Sequence, residues 1–252
     1  MKNKIVYIFT LVCACLFIVE AKAQERTVEN RPYTDLRPFH FGVLVGSHFQ
    51  DMEFVNVGPQ MIAVDEDGTT VEKVISCDQD RWDAGFHVGV LGELRLGTYF
   101  AFRIAPAMYF GTKHLLFQNF TDLMEDGSPI VERQEMKTAY ISTALDLIYS
   151  AKRFNNHRPY IVAGVNPMLN LSGKDEDILK LKRYDCYLEL GVGCDFYLPF
   201  FKLRPELKFG YSLINSLDTK HADIIKDKNM LAYARSVSKA QTKFIALTFH
   251  FE

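Results

Sequence analysis

Serine and histidine are the residue types in this chain that could catalyse a reaction on a lipid. Ser47, His48, His87, His114 and His250 could supply a nucleophile and a base. Their spacing alone does not place a nucleophile, a base and an orienting carboxylate together. Histidines that face a polar interior more often serve as hydrogen-bonded packing groups. We therefore expect no enzyme activity, and a lipid-modifying enzyme is the weakest alternative.

The sequence gives no support for a metal ion or a cofactor. The histidines form no HxH pair or other ligand cluster. The Asp-Glu-Asp-Gly run at 65–68 is too short for an EF-hand loop and predicts a turn. Cys186 and Cys194 share one face of a single predicted strand, roughly 26 Å apart at the usual strand rise, which is beyond disulfide reach. We expect no metal, no cofactor and no disulfide.

Charged residues show a clearer pattern than the histidines. In 184–198 the even-numbered positions are apolar, and in 201–213 the odd-numbered ones are, whereas the alternate positions carry charged, polar, aromatic or glycine residues. This period of two indicates β-strands, because successive side chains of a strand point to opposite faces. Six acids and five bases fall on the polar face over the whole chain: Glu93, Arg95, Arg103, Asp146, Asp185, Glu189, Asp195, Lys202, Arg204, Glu206 and Lys208.

Small residues accompany these charges on the polar face. In a soluble barrel that face would meet water, and glycine would be rare there because it packs nothing. A cramped interior instead needs small residues beside large and charged ones. An apolar exterior around such an interior is typical of a transmembrane β-barrel, with a soluble barrel as the alternative. The small residues are Gly42, Gly46, Gly89, Ala101, Ala105, Ala107, Gly111, Ala144, Gly164, Gly191, Gly193, Gly210 and Ala246.

Eight segments show this alternation and predict the fold class. We expect an all-β protein, namely an eight-stranded antiparallel transmembrane β-barrel with a charge-filled lumen, short periplasmic turns and long outer loops. An even number of strands places both mature termini in the periplasm. The predicted strands are 39–50, 85–96, 99–117, 138–149, 158–169, 184–198, 201–213 and 241–251.

The connections between these segments alternate between long and short, as expected for an outer-membrane barrel. The long ones are predicted at 51–84, 118–137, 170–183 and 214–240, the last with a helical stretch near 222–234.

Three prolines inside the predicted strands do not fit a regular ladder. Pro106, Pro167 and Pro205 each lack the amide hydrogen that a ladder position can donate. Because prolines within sheets occur at edges or bulges, we predict local bulges at these positions.

The predicted lumen has room for side chains and little else. An eight-stranded barrel is just wide enough for its own side chains to fill. Charges in that space should pair, since an unpaired buried charge is costly, and a proton or ion path is the alternative. The protein should therefore act through its outer loops, its periplasmic turns or its lipid-facing wall.

The N-terminus indicates export to the cell outer membrane. Two lysines precede an apolar run, and an Ala-x-Ala site follows it, so we predict a signal peptide at 1–23. A periplasmic N-terminal segment at 24–38 and a barrel domain at 39–252 complete the predicted organisation. The formal net charge of −2 gives no sign of nucleic-acid binding.

Five stretches of the chain carry a family likeness. They are RPFHFGVLVGSHFQDMEF (37–54), GFHVGVLGELRLGTYFAFRIAPAMYFGTKHLLF (85–117), RFNNHRPYIVAGVNPMLNL (153–171), DCYLELGVGCDFYLPFFKLRPELKFGYSL (185–213) and TKFIALTFHFE (242–252). These stretches closely resemble the PorT family of small outer-membrane barrels. The runs NNHRPYIVAGVNP and CDFYLPFFKLRPELKF are the most specific, and the resemblance covers nearly all of the mature chain.

The resemblance implies membership of the type IX (Por) secretion machinery, which exports proteins that bear a C-terminal sorting domain. It implies no catalytic residues. With a filled lumen, the chain would be an accessory or assembly component and not the conduit. Its expected partners are outer-membrane lipid and other secretion subunits, with no nucleic acid and no small-molecule substrate. A general structural or adhesin-like barrel that acts through its loops is the alternative.

Overall fold

The computed structural model describes residues 28–63, 70–172, 177–223, 225 and 228–252. The predicted signal peptide and the turn predicted at 65–68 lie outside these described residues. The strands are β1 (Phe39–Asn56), β2 (Pro59–Ala63), β3 (Thr70–Asp78), β4 (Asp83–Arg95), β5 (Phe100–Leu123), β6 (Pro129–Ser150), β7 (His157–Asn170), β8 (Tyr184–Tyr197), β9 (Lys202–Ser212) and β10 (Val237–Phe251). The helices are α1 (Lys228–Ala234) and two 3-10 turns (Thr34–Leu36 and His221–Asp223).

Eight of the strands close into a ring. Hydrogen-bonded neighbours follow the order β5-β4-β1-β10-β9-β8-β7-β6, and β6 pairs with β5 to complete the circle. All of these pairs are antiparallel. The predicted all-β, eight-stranded antiparallel barrel is therefore confirmed. Strands β2 and β3 form an additional hairpin attached to β5.

The two kinds of side chain lie on opposite faces of the ring. Phe41 and Val192 on the outer face are 75% and 56% exposed, whereas Arg103 and Glu206 on the inner face are 0% and 1% exposed. Large apolar groups outside and charges inside are the reverse of what water would favour. The outward apolar residues of the ring form a band, termed the apolar belt. On β1 this belt runs from Phe39 to Phe49, which matches the ~9–11 residues that a membrane-crossing strand needs.

The polarity pattern reverses beyond this belt, on the side of the long connections. On β1 the outward residue Glu53 is exposed to solvent, while the inward Met52 is buried. On β5 the inward residues become Leu115 and Phe117, which are also buried. Such a reversal is expected where water replaces hydrocarbon around the barrel.

The inward apolar side chains of this extension form a hydrophobic cluster, termed the outer core. Strand β3 pairs with the part of β5 that extends beyond β4. The Asn56 side chain accepts a hydrogen bond from the backbone N–H of Cys77 and donates one to the C=O of the same residue. Burial raises the pKa of the Cys77 thiol. The outer core contains Met52, Ile62, Ile75, Cys77, Leu115, Phe117, Met136, Ile178, Leu179, Leu181, Leu217, Ala232, Ala234, Val237 and Ala240.

Two of the predicted long loops are wrong. The connection expected at 118–137 is mostly strand, because β5 continues to Leu123 and β6 begins at Pro129. The connection expected at 51–84 contains the end of β1, the β2–β3 hairpin and the start of β4. In both regions inward residues such as Met52 and Met136 are apolar and buried, while outward residues such as Glu53 and Glu135 are exposed. The strands therefore continue although their outward face is no longer uniformly apolar. Helix α1 falls within the helical stretch predicted near 222–234.

The connections at the opposite end of the barrel are short. They are 96–99, 151–156 and 198–201, and together they form the short-turn rim. The first strand of the ring begins at this rim, at Phe39, and the last strand of the ring ends there, at Phe251. No helix in the described part of the chain has the length and hydropathy that crossing a bilayer would require.

The bulges predicted at the three strand prolines are not found. Pro106, Pro167 and Pro205 keep continuous register with one neighbouring strand. On the other side, the ladder has the same register before and after each proline but lacks two residue pairs. A residue other than proline at any of these positions would point its amide hydrogen toward this second neighbouring strand. Each proline therefore leaves a short gap in a ladder and does not shift its register.

Inward glycines make room for large neighbours across the lumen. A Cβ atom built on Gly210 would lie 2.3 Å from the Phe244 ring, and one on Gly46 would lie 2.5 Å from the His87 ring. A methyl group at either position would overlap with the ring. Small residues on the inner face thus allow the close packing of the aromatic and charged ones.

Candidate functional site

Three carboxylates share one arginine in the middle of the lumen. Arg103 Nη1 lies 2.7 Å from Glu206 and 3.8 Å from Asp146, and Arg103 Nε lies 3.5 Å from Glu93. Tyr160 donates its hydroxyl hydrogen to the same Glu206 carboxylate at 2.7 Å. Charge-assisted bonds of this kind are short and strong when both partners are removed from water.

A second arginine extends these contacts toward the short-turn rim. Arg204 Nη1 lies 2.6 Å from Glu93, and Arg204 Nε lies 2.6 Å from Asp195. Glu252, the residue after β10, pairs with both Arg204 and Lys202. Glu93 therefore bridges the two arginines.

A lysine extends the contacts in the other direction. Lys208 Nζ lies 2.7 Å from Asp146 and 2.9 Å from Glu189. Asn166 donates a hydrogen bond of 2.6 Å to the second oxygen of Glu189. Since Asp146 also contacts Arg103, all of these groups form one connected set, termed the lumen network.

Carboxylates outnumber cations in the lumen network. Each cation contacts at least two carboxylates, so the loss of one cation would increase the excess of buried negative charge and weaken several ion pairs at once. Among the described residues, the network consists of six carboxylates (Glu93, Asp146, Glu189, Asp195, Glu206 and Glu252) and four cations (Arg103, Lys202, Arg204 and Lys208).

Two of the eleven charged residues singled out from the sequence lie outside the lumen network. Arg95 hydrogen-bonds to the carbonyl oxygen of Gly97 at the short-turn rim. Asp185 accepts hydrogen bonds from Ser212 and Ser216 on the side of the outer core. The other nine residues are brought together.

Among the described residues, Glu252 and Lys113 are inward charges that the predicted set lacks. Glu252 joins the lumen network, and the fully buried Lys113 donates to Thr242 at 2.9 Å. The alternation of inward and outward side chains along a strand predicts both residues. Glu252 follows the outward Phe251, and Lys113 lies an even number of residues from the inward Arg103 on β5.

One row of paired residues around the ring explains how distant segments meet. Glu93 pairs with Arg103, Arg103 with Asp146, Asp146 with Gly164, and Gly164 with Glu189. A Cβ atom on Gly164 would lie 2.4 Å from an oxygen of Asp146, so glycine leaves space for that carboxylate. The strand register decides which charges meet.

Aromatic rings fill the lumen between the lumen network and the outer core. The His87 ring stacks on Tyr109 at 4.6 Å between centroids, and His48 lies 5.2 Å from the same ring. Phe244 lies 6.2 Å from Tyr109 and 5.3 Å from Tyr187. These five rings are termed the aromatic layer, and they separate the lumen network from the outer core.

The residues considered for catalysis do not converge. Ser47 lies on the outer face of β1, and His48 lies on its inner face. His87 and His250 contact a threonine hydroxyl and a backbone carbonyl inside the lumen, whereas His114 contacts a carboxylate beyond the belt. Among the described residues, no three His, Cys, Asp or Glu side chains are grouped as metal ligands would be.

The segment before β1 covers the short-turn rim. Arg153 donates to the carbonyl oxygens of Asn30 and Arg31, and its guanidinium carbon lies 3.7 Å from the centre of the Tyr197 ring. Asp35 accepts the hydroxyl hydrogen of Tyr197 at 2.7 Å. The barrel is thus closed at this end as well as at the outer core.

Comparison with known proteins gives one family and several distant structures. A family model described as outer membrane protein beta-barrel domain matches residues 22–218. No curated protein matches the chain. The chain is similar to the outer membrane protein OprG from Pseudomonas aeruginosa (14% identity, TM-score 0.44, covering 84% of this chain and 93% of that one).

Two further solved structures show a similar degree of likeness. One is Neisserial surface protein A (9% identity, TM-score 0.41, covering 85% of this chain and 98% of that one). The other is Ail, the attachment invasion locus protein of Yersinia pestis (10% identity, TM-score 0.37, covering 85% and 99%).

Proposed function

Because this chain belongs to the outer membrane protein beta-barrel domain family, we propose that it is a non-enzymatic component of the type IX (Por) secretion system in the outer membrane. In this role it is needed for the export or maturation of cargo proteins that bear C-terminal sorting domains. The resemblance of NNHRPYIVAGVNP and CDFYLPFFKLRPELKF to the PorT family supports this assignment. A signal peptide at 1–23 and a periplasmic segment at 24–38 are part of the same proposal.

The filled lumen is the observation that carries an accessory role. The lumen network, the aromatic layer and the outer core occupy successive levels of the barrel. A polypeptide cannot pass through a ring of eight strands whose interior is already occupied. The protein therefore acts from its surfaces, by contacting larger subunits or modifying enzymes of the exporter, and another subunit is the conduit.

The secreted-protein profile of a deletion strain tests the proposal. Deletion should leave cargo with an uncleaved sorting domain in the periplasm, and the wild-type gene should restore cargo at the surface. The matched control is a deletion of an unrelated small barrel gene in the same strain, which should leave secretion unchanged. Normal cargo at the surface of the deletion strain would reject the proposal.

A structural or adhesin-like barrel is the second candidate, and the outer core favours it. Four strands continue past the apolar belt and pack around the outer core, which gives the barrel a folded surface outside the belt. They are β1, β5, β6 and β10. A barrel of this class would leave cargo export intact and change the binding of cells to surfaces. Adhesion assays on the same deletion strain separate the two candidates. A lipid-modifying enzyme would instead change the lipid A or phospholipid profile.

A further inference from the structure

An apolar groove runs along the outer face of β1, β4 and β5 near the short-turn rim. Phe39, Phe41, Phe102 and Pro106 form its sides, and Gly92 forms its floor. Its volume of about 560 Å³ lies within the ~300–1,000 Å³ that ligand pockets usually have. This site is termed the wall groove.

Gly92 differs from the inward glycines of the barrel. A Cβ atom on Gly92 would lie 3.7 Å from the Phe41 ring, an ordinary contact distance, with no nearer atom outside its own chain neighbours. The corresponding atom on Gly46, Gly164 or Gly210 would lie within 2.5 Å of a neighbour. A glycine within a strand destabilises the fold relative to alanine, because it loses more backbone entropy on folding. Packing within the chain does not require this glycine, so the open floor suits a molecule from outside.

An exposed cation comes just before the strand that borders the wall groove. Arg37 precedes the groove residue Phe39 by two residues, and its side chain makes no ion pair among the described residues. A guanidinium group binds phosphate through paired hydrogen bonds. Basic residues beside a membrane surface attract anionic lipid headgroups.

We propose that the wall groove binds an acyl chain of an anionic phospholipid whose phosphate lies at Arg37. The groove lies within the apolar belt, where hydrocarbon surrounds the barrel, so an acyl chain matches its lining. The neighbouring cation selects the charge of the headgroup. This lipid site does not depend on the secretion role, because it requires only the location in the membrane.

Native mass spectrometry of the purified full chain tests this site. The barrel would be reconstituted in vesicles of phosphatidylglycerol and phosphatidylcholine, then extracted and measured with the lipid it retains. We expect the wild type to retain one phosphatidylglycerol. Gly92→Phe, which fills the floor, should reduce the retained fraction at least tenfold. Arg37→Gln should retain lipid but lose the preference for phosphatidylglycerol.

Leu190→Phe is the matched control, because Leu190 is exposed on β8, on the opposite side of the ring. It places the same phenylalanine side chain in the apolar belt and should retain lipid as the wild type does. Gly92→Leu provides a second, smaller filling if the phenylalanine variant does not fold. A wild type without retained lipid, or Gly92 variants that retain as much as the Leu190 control, would overturn the proposal.

Discussion

Arg103 lies between three buried carboxylates, so its removal has a predictable cost. Arg103→Met would leave Glu93, Asp146 and Glu206 without their shared cation. Breaking a buried ion pair in this way costs about 3–5 kcal/mol. We expect the free energy of unfolding to fall by that amount. Urea titration in detergent, followed by the fluorescence of Trp82, the single tryptophan, measures the change.

Lys73→Met is the control for Arg103→Met because it breaks an exposed pair. Lys73 Nζ lies 2.9 Å from Asp122, whose side chain is 46% exposed. Hydrogen bonds from Lys73 and then Asn119 lower the pKa of the Asp122 carboxyl, but solvent screens such pairs to about 0–1 kcal/mol. An Arg103 variant no less stable than the Lys73 variant would show that the lumen network does not stabilise the barrel.

The parity of single residues was enough to place nine of the eleven predicted charges in the lumen network. It could not show that Asp185 binds serine hydroxyls, because Ser216 comes from a connection beyond the strand ladder. Nor could it show that Arg95 turns to the short-turn rim. Parity gives the face of a residue, whereas the partner depends on strand register and on loops.

Strand β5 provides a test of the gaps that prolines leave in the ladders. Pro106→Ala restores an amide hydrogen on the side facing β4, where two residue pairs are missing. A net hydrogen bond contributes about 0.5–1.5 kcal/mol, and the gain is at the upper end where no water competes. Loss of proline rigidity opposes it by about 0.4–1 kcal/mol. We expect a net gain in unfolding free energy of roughly 0.5 kcal/mol, measured by the same urea titration.

Pro159→Ala serves as the comparison for Pro106→Ala. Pro159 keeps its pairing with Cys194 on β8 and lies near the short-turn rim, where water is available. Only the loss of rigidity should remain, so this variant should be slightly less stable than the wild type. Equal effects of the two substitutions would mean that the missing pairs at Pro106 carry no free energy.

The strand pattern was predictable inside the apolar belt and not beyond it. An apolar outward face identified all eight ring strands, because hydrocarbon imposes one polarity on every strand that it surrounds. The predicted strand 99–117 includes the inward Leu115 and Phe117, but β5 continues to Leu123, so the same rule ends the strand too early. Most of the outer core therefore falls in segments that the rule predicts as loops. A second search for the opposite polarity at the ends of the predicted strands could have found it.

The whole molecule is closed at several levels by different means. The segment before β1 covers the short-turn rim, charges and aromatic rings fill the belt, and the outer core covers the other end. Each closure draws on residues distant in sequence. An outer-membrane barrel filled in this way presents its outer surfaces to lipid and offers no passage through its centre.

Electrical recording in planar bilayers tests this closure directly. Arg153→Gln removes the hydrogen bonds from Arg153 to the carbonyl oxygens of Asn30 and Arg31 and so weakens the cover over the short-turn rim, with the lumen network and aromatic layer left in place. We expect no stepwise current from the wild type, and none from this variant, because the remaining levels still exclude hydrated ions. Limited proteolysis should meanwhile cut the variant faster before Phe39. Steady current from the variant alone would make the N-terminal segment the only barrier, and current from the wild type would show an open pore.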